Sequence, residues 1–200
     1  MNFNFNVSEL IFLMPELFLL AAISCILLFD LYVKEELKKF TYHLSQLALL
    51  ITGLLAFNLI GESATIFSGT FVLDTLGSTF KVFIAGFSII ALVYSRYYLS
   101  VHGLLRNEYF ILTLMSILGM LVMVSGHSLL TLYLGLEIMS LSLYALIATA
   151  RDRAFAIEAA LKYFVLGAIA SGLLLYGMSM IYGITGNLDI AQIASFASLA

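Results

Sequence analysis

The sequence predicts an all-α polytopic membrane protein with six transmembrane helices. Of its 200 residues, 62% are hydrophobic and only 10% are charged, which excludes an ordinary water-soluble domain. The apolar residues form runs of about 20 residues, the length that crosses a bilayer core of roughly 30 Å as a helix. Because these runs lack the period-two alternation of barrel strands, helices are the predicted spans.

Six stretches meet this length requirement. They are residues 10–29, 40–60, 76–95, 109–125, 128–150 and 159–183. The first nine residues contain no lysine or arginine, so we expect the first helix to be retained rather than cleaved as a signal peptide. Gly126 and His127 alone join the fourth and fifth spans, which predicts a tight hairpin with Gly126 at a helix C-cap. Gly183, Gly186 and Asn187 predict a turn before a short surface helix.

The basic residues alternate between the connections. Seven of the nine lie in every second connection: Lys34, Lys38, Lys39, Arg96, Arg106, Arg151 and Arg153. The segments 1–9, 61–75, 126–127 and 184–200 hold none. The positive-inside rule therefore predicts that the amino terminus lies on the non-cytoplasmic side, together with the segment after the sixth helix.

Several classes of site are absent from the sequence. The one cysteine, Cys25, excludes an intrachain disulfide and a cysteine-based iron–sulfur centre. The three histidines are not spaced as metal or haem ligands, and no glycine-rich phosphate loop is present. The net charge of −3 and the scattered basic residues argue against nucleic acid as a partner. We therefore expect no metal and no cofactor in this chain.

Glu137 lies near the middle of the fifth span. It is 14 residues from Arg151 and 10 from His127, or roughly 21 Å and 15 Å along a helix. A charge at the bilayer centre costs about 3 kcal/mol on insertion scales, so it normally has a partner or a wet cavity. Glu137 is therefore a candidate proton-transfer residue, and the alternative is a structural polar contact between helices.

Lys162 lies roughly 14 Å into the sixth span. It has two candidate partners. Glu158, one turn earlier, would give an intrahelical ion pair. Glu137 differs from it in depth by only about 7 Å, and Gly167 with Ser171 provides a small-residue contact that would let the two helices pack closely.

Lys81 is the third ionisable residue inside a span, about two turns from its start. The sequence favours an outward-snorkelling side chain, with a supporting role in proton transfer as the alternative. Glu16 follows Pro15 near the outer start of the first helix, where we expect an ordinary N-terminal turn. We expect His127 to be an interfacial loop residue rather than a proton relay.

Residues 129–146, LLTLYLGLEIMSLSLYAL, the Arg-Asp-Arg at 151–153 and the run 158–178 carry a resemblance. They resemble the antiporter-like membrane subunits of respiratory complex I, NADH-quinone oxidoreductase, and within them the subunit N family, with its mitochondrial counterpart NADH dehydrogenase subunit 2. Met14-Pro15-Glu16 and Val72-Leu73-Asp74 also resemble this family, but only the stretch 129–178 is specific.

The resemblance implies that Glu137 is the family's key glutamate on the fifth helix and Lys162 a lysine on the sixth, both in its proton pathway. From the residues alone, Glu158 and Lys81 are candidate supporting residues, Glu158 by tuning Lys162 from the cytoplasmic side. The family's further lysines would lie beyond residue 200. It follows that residues 1–106 form an amino-terminal three-helix segment, that 107–200 begin the antiporter-like domain, and that the chain is the front part of a longer subunit.

The implied activity is proton translocation coupled to electron transfer from NADH to quinone. FMN, the iron–sulfur clusters and the NADH and quinone sites would belong to partner subunits, and other membrane subunits, neighbouring antiporter-like subunits among them, and the lipid bilayer would surround this chain. The expected location is a bacterial plasma membrane rather than an organelle. Two alternatives remain: a subunit of a cation/proton antiporter or membrane-bound hydrogenase, and a non-transporting scaffold in which Glu137 and Lys162 hold helices together.

Overall fold

The computed structural model describes residues 7–32 and 39–199 of the chain. Within them, six helices are long and apolar enough to cross a membrane, which confirms the predicted span count. The helices are α1 Met14–Tyr32, α2 Lys39–Asn58, α3 Thr75–Val101, α4 Asn107–Ser125, α5 Leu129–Ile147, α6 Ala154–Thr185 and α7 Ile190–Leu199. A 3-10 segment, Val7–Leu13, leads into α1. Residues 1–6 and the lysines at 34 and 38 lie outside the described residues.

Two short strands correct the all-α expectation. Between α2 and α3, β1 Ala64–Ile66 pairs antiparallel with β2 Phe71–Leu73, and Ala64 lies opposite Leu73. The tip uses left-handed backbone at Phe67, Ser68 and Gly69. The strands are only three residues long, too short for their alternation to be visible in the sequence. Both are rich in β-branched and aromatic residues, which favour extended backbone.

The hydrophobic core lies among α1 to α4, with α4 at its centre. Half of the most apolar stretch of α4 is buried in the described part of the chain, whereas none of the corresponding stretch of α6 is buried there. The buried residues are Leu19, Ile23, Ile26, Ala48, Leu49, Leu92, Phe110, Ile111, Leu114, Ile117, Leu118 and Leu121. Helices α5 and α6 therefore lie at the edge of this bundle, with α5 held against α4.

Helix α6 ends later than predicted. It continues through Gly183 to Thr185, and Gly186 forms the C-cap with a left-handed φ of 67° and its N–H bonded to the Tyr182 carbonyl. Gly183 is therefore a helix residue, contrary to the expected turn. Glycine is tolerated inside an apolar helix, and the cap falls where backbone with positive φ is needed. The predicted short helix after this turn is confirmed as α7.

A set of backbone hydrogen bonds ties three connections together, and we call residues 70–71, 126–129 and 188–190 the connecting edge. Phe71 bridges to Gly126, and the His127 N–H donates to the Thr70 carbonyl at 3.0 Å. On the other side, the Leu129 N–H donates to the Leu188 carbonyl at 2.9 Å. The β1–β2 hairpin, the α4–α5 turn and the segment after α6 consequently form one layer at one end of the bundle.

Candidate functional site

Helices α5 and α6 meet along a row of polar side chains. The Ser171 hydroxyl on α6 donates to the Glu137 carboxylate on α5, and the Tyr133 and Ser171 hydroxyl oxygens are 3.0 Å apart. Tyr133 and Glu137 are four residues apart and therefore project from one face of α5. The carboxylate at mid-helix thus has one hydroxyl partner, Ser171, which is itself bonded to Tyr133. This hydrogen bond lowers the cost of holding a polar group inside a membrane.

Tight packing of α4 against α5 fixes the position of Glu137. A Cβ at Gly119 would lie 2.6 Å from both the Gly135 carbonyl oxygen and the Met139 amide nitrogen. Such contacts are with backbone, which has little room to move. Glycine at both positions therefore allows the two helices of the hairpin to touch, and Glu137, two residues after Gly135, is presented to α6. Ser128 caps α5 by accepting from the Thr131 N–H at 3.4 Å.

Tyr144 lies two helical turns after Glu137 on α5, along the same contact with α6. Its hydroxyl occupies the place where a side chain at Gly167 would begin, and its ring makes an edge contact with Tyr163 at 4.8 Å between centroids. Gly167 and Ser171 are one turn apart on α6, which confirms the predicted small-residue contact with α5. We call Tyr133, Glu137, Tyr144, Gly167 and Ser171 the α5–α6 seam.

Lys162 does not pair with Glu137. Its ammonium lies 2.6 Å from the Glu158 carboxylate, and both side chains are exposed, at 71% and 67%. The sequence left two partners open for Lys162, and in the described structure the partner is Glu158, on the same helix. An exposed pair of this kind contributes little to stability.

The sequence-based depth comparison was wrong because it assumed that α5 ends at the level where α6 begins. Glu137 is ten residues from the end of α5, roughly 15 Å, whereas Ser171 is 17 residues from the start of α6, roughly 26 Å. Helix α6 therefore extends about 10 Å beyond the end of α5. Lys162, nine residues before Ser171, is roughly 14 Å from the level of Glu137, and Tyr144 and Tyr163 lie between them.

Lys81 does not snorkel outward. Its ammonium lies 2.5 Å from the Glu16 carboxylate, with only 1% of the Lys81 side chain and 6% of the Glu16 side chain exposed. Glu16 is thus a partner in a buried ion pair and not merely part of an N-terminal turn. Lys81 lies about two turns into α3, whereas Glu16 lies in the first turn of α1, after the 3-10 segment. Both side chains are buried, and each compensates the other's charge.

The residues that sequence reasoning missed at these sites are Tyr133, Tyr144 and Glu16. The i,i+4 spacing of Tyr133 and Glu137 was a usable signal. Nothing in the spacing joined Glu16 to Lys81, because 65 residues separate them. Within the part of the chain that the structure describes, no group of three or more His, Cys, Asp or Glu side chains is placed to hold a metal ion.

The chain is similar in sequence to known membrane proteins. A family model described as the transmembrane region of NADH:quinone oxidoreductase and Mrp antiporters matches residues 126–200, which include the whole seam. NADH-quinone oxidoreductase subunit N from Ruthia magnifica subsp. Calyptogena magnifica is 66% identical over 195 residues, covering 97% of this chain and 40% of that protein. The subunit N of Alkalilimnicola ehrlichii is 50% identical, covering 92% and 38%. The resemblance to subunit N is confirmed.

Solved structures give the same result for the fold. Respiratory complex I from Thermus thermophilus with bound aureothin contains a chain that matches with a TM-score of 0.72 and 27% identity, over 88% of this chain and 38% of that one. The archaeal membrane-bound sulfane sulfur reductase matches with a TM-score of 0.76 and 26% identity, over 93% and 40%. This chain spans about two fifths of the length of the subunit N relatives.

Proposed function

We propose that this chain is the front part of a proton-translocating membrane subunit of NADH:quinone oxidoreductase. The observation that carries the proposal is Glu137, a mid-helix carboxylate that accepts from Ser171 across the α5–α6 seam. The seam lies in the region matched by the antiporter-related family model, and the relatives that match over most of the chain are named subunit N. A half-buried carboxylate that is hydrogen-bonded to a hydroxyl group is suited to accepting, holding and returning a proton.

In this proposal Glu137 is the proton-holding group at the centre of the seam. Tyr133 and Ser171 pass protons to and from it, because a hydroxyl donates and accepts at once. Lys162 relays protons near the amino-terminal end of α6, and Glu158 keeps the Lys162 ammonium oriented. Since roughly 14 Å separates the levels of Lys162 and Glu137, transfer between them requires intermediate groups along the helix contact.

The proposed setting follows from charge placement. Arg106, Arg151 and Arg153 lie at the end of the bundle away from the connecting edge, so that end faces the cytoplasm and the amino terminus lies on the opposite side. The membrane is the bacterial plasma membrane. Residues 1–106 form the amino-terminal three-helix segment and 107–200 begin the translocation domain. NADH, FMN, the iron–sulfur clusters and quinone bind to partner subunits, and further membrane subunits and lipid surround this one.

The test uses the full-length subunit in the assembled complex, in inverted membrane vesicles that oxidise NADH. Glu137→Gln keeps the size and hydrogen-bonding of the side chain but removes the titrating group. We expect the complex to assemble and proton uptake to fall by about a hundredfold, the usual contribution of a positioned acid or base. Glu62→Gln, an exposed acid in the connection before β1, is the matched control. Wild-type proton uptake by Glu137→Gln would contradict the proposal.

The scaffold alternative makes a different prediction for the double variant Glu137→Leu with Lys162→Leu. A subunit that only anchors its partners would assemble and support full proton uptake, because leucine fits the apolar surroundings of Glu137 and the exposed Lys162–Glu158 ion pair contributes little to stability. A transporting subunit would assemble and lose proton uptake. The same vesicles distinguish the proposed function from the antiporter and hydrogenase alternatives. Only a subunit of NADH:quinone oxidoreductase supports proton uptake that is driven by NADH oxidation.

A further inference from the structure

The pair of Glu16 on α1 and Lys81 on α3 is the most deeply buried charged feature among the described residues. It belongs to the amino-terminal helices and not to the α5–α6 seam. The nitrogen–oxygen distance is 2.5 Å, and both side chains are almost completely buried. Lys81 is the largest of the fully buried side chains in the described part of the chain.

An aromatic ring of the connecting edge, that of Phe71, lies over this pair. The Lys81 ammonium lies 5.2 Å from the centroid of the Phe71 ring, close enough for a cation–π contact. Phe71 in turn packs with Leu13 and Ile66 in a small buried cluster. Lys81 therefore contacts both a carboxylate and an aromatic ring and is almost completely buried.

Stability alone does not account for two charges at this position. Replacing a buried ion pair by well-packed apolar residues is often neutral or stabilising by about 1–4 kcal/mol. A purely structural pair would also be expected to have its remaining hydrogen-bonding capacity filled. Apart from the ion contact itself, the Glu16 oxygens and the Lys81 nitrogen have no hydrogen-bond partner among residues 7–32 and 39–199. Ionisable residues inside a membrane are functional by default.

We propose that Glu16 and Lys81 form a second proton-holding site of this subunit, separate from Glu137. In the ion pair the ammonium holds the shared proton. When an N–H bond of Lys81 breaks and an O–H bond forms on Glu16, the pair becomes a neutral amine and a neutral carboxyl group, and no net charge is added to the apolar interior. This inference rests on the proposed function, since a proton-holding site matters only in a subunit that moves protons.

Phe71 gives this site a physical connection to the seam. Its ring lies on Lys81, while its backbone bridges to Gly126, three residues before the start of α5. A displacement of the α4–α5 turn would shift the ring that covers Lys81 and change how well the ammonium is stabilised relative to the amine. The strength of a cation–π contact depends on this geometry.

The key variant is the double replacement Glu16→Gln with Lys81→Met, which leaves no unpaired charge in the core. In NADH-oxidising vesicles of the full complex, we expect normal assembly and at least a twofold fall in protons taken up per NADH oxidised. The exchanged pair Glu16→Lys with Lys81→Glu keeps two groups that can share a proton and should restore the ratio. Full assembly with a wild-type ratio in the neutral double variant would overturn the inference and assign the pair a structural role.

Infrared difference spectroscopy of the complex before and after NADH addition gives a second readout that does not require the double variants to assemble. We expect a carboxyl band that shifts in the conservative variant Glu16→Asp, and a spectrum in which no band shifts would contradict the inference. Glu137→Gln is measured in the same vesicles. If Glu137→Gln retains proton uptake, the proposed function fails. If proton uptake is lost in Glu137→Gln but unchanged in the double variant Glu16→Gln with Lys81→Met, only the second site is rejected.

Discussion

Gly167→Ala tests the closeness of α5 and α6 at the seam. The added Cβ would overlap the Tyr144 hydroxyl and the ring carbon that bears it, and would lie 3.0 Å from the next ring carbon. Carbon atoms in contact prefer about 3.5–4.0 Å, so the Tyr144 ring has to withdraw by roughly 1 Å or more. Overpacking of this size typically costs about 1–3 kcal/mol.

The same helix provides a matched control. At Gly172 a Cβ meets nothing within 4 Å among the described residues. Both replacements gain the same helix propensity, about 1 kcal/mol. Only Gly167→Ala pushes Tyr144 away and disturbs Ser171, one turn further along. If the whole cost appears in the barrier to proton transfer, proton uptake falls by about 5- to 150-fold.

The assay compares NADH-driven proton uptake in vesicles for Gly167→Ala, Gly172→Ala and the double variant Gly167→Ala with Tyr144→Leu. We expect a large loss in the first, no loss in the second and partial recovery in the third, because the leucine removes the overlapping atoms. The physical reasoning fails if Gly167→Ala and Gly172→Ala behave alike, or if the double variant is simply the sum of its two single effects.

Two further predictions concern the start of α3 and the first turns of α6. Asp74→Ala removes the side chain that caps α3 by accepting from the Gly77 N–H at 2.6 Å, so we expect a loss of about 1 kcal/mol, seen as faster thermal inactivation of the vesicles, whereas Asp74→Ser should retain most of the stability. Glu158→Gln breaks an exposed ion pair, so stability should change by less than about 0.5 kcal/mol; if proton uptake nevertheless falls, Glu158 acts through Lys162, and unchanged uptake would reject its proposed supporting role.

The sequence was sufficient for the span count because hydrophobic length alone determines where a chain can cross a membrane. It was also sufficient for the contact at Gly167 and Ser171, since small residues one turn apart are a local pattern. These predictions depend on residues close together in the chain.

The partners of the buried charges could not be obtained in this way. Pairing Glu137 with Lys162 required the relative level of two helices, and that level depends on how far α6 continues beyond the end of α5. Joining Glu16 to Lys81 required the tertiary fold, which brings together two residues far apart in the chain. Three-residue strands were missed because extended backbone of that length has no detectable period.

The connecting edge is built from main-chain groups, so its strength is largely independent of which side chains occupy it. An alanine scan across residues 126–129 and 188–190 would leave these main-chain hydrogen bonds intact, although three connections depend on them. Proline is the informative substitution here, since it alone deletes an N–H donor. The variant His127→Pro would remove the N–H that donates to the Thr70 carbonyl and so weaken the link between the β1–β2 hairpin and the turn before α5. It would leave every ionisable group of the two proposed proton sites unchanged.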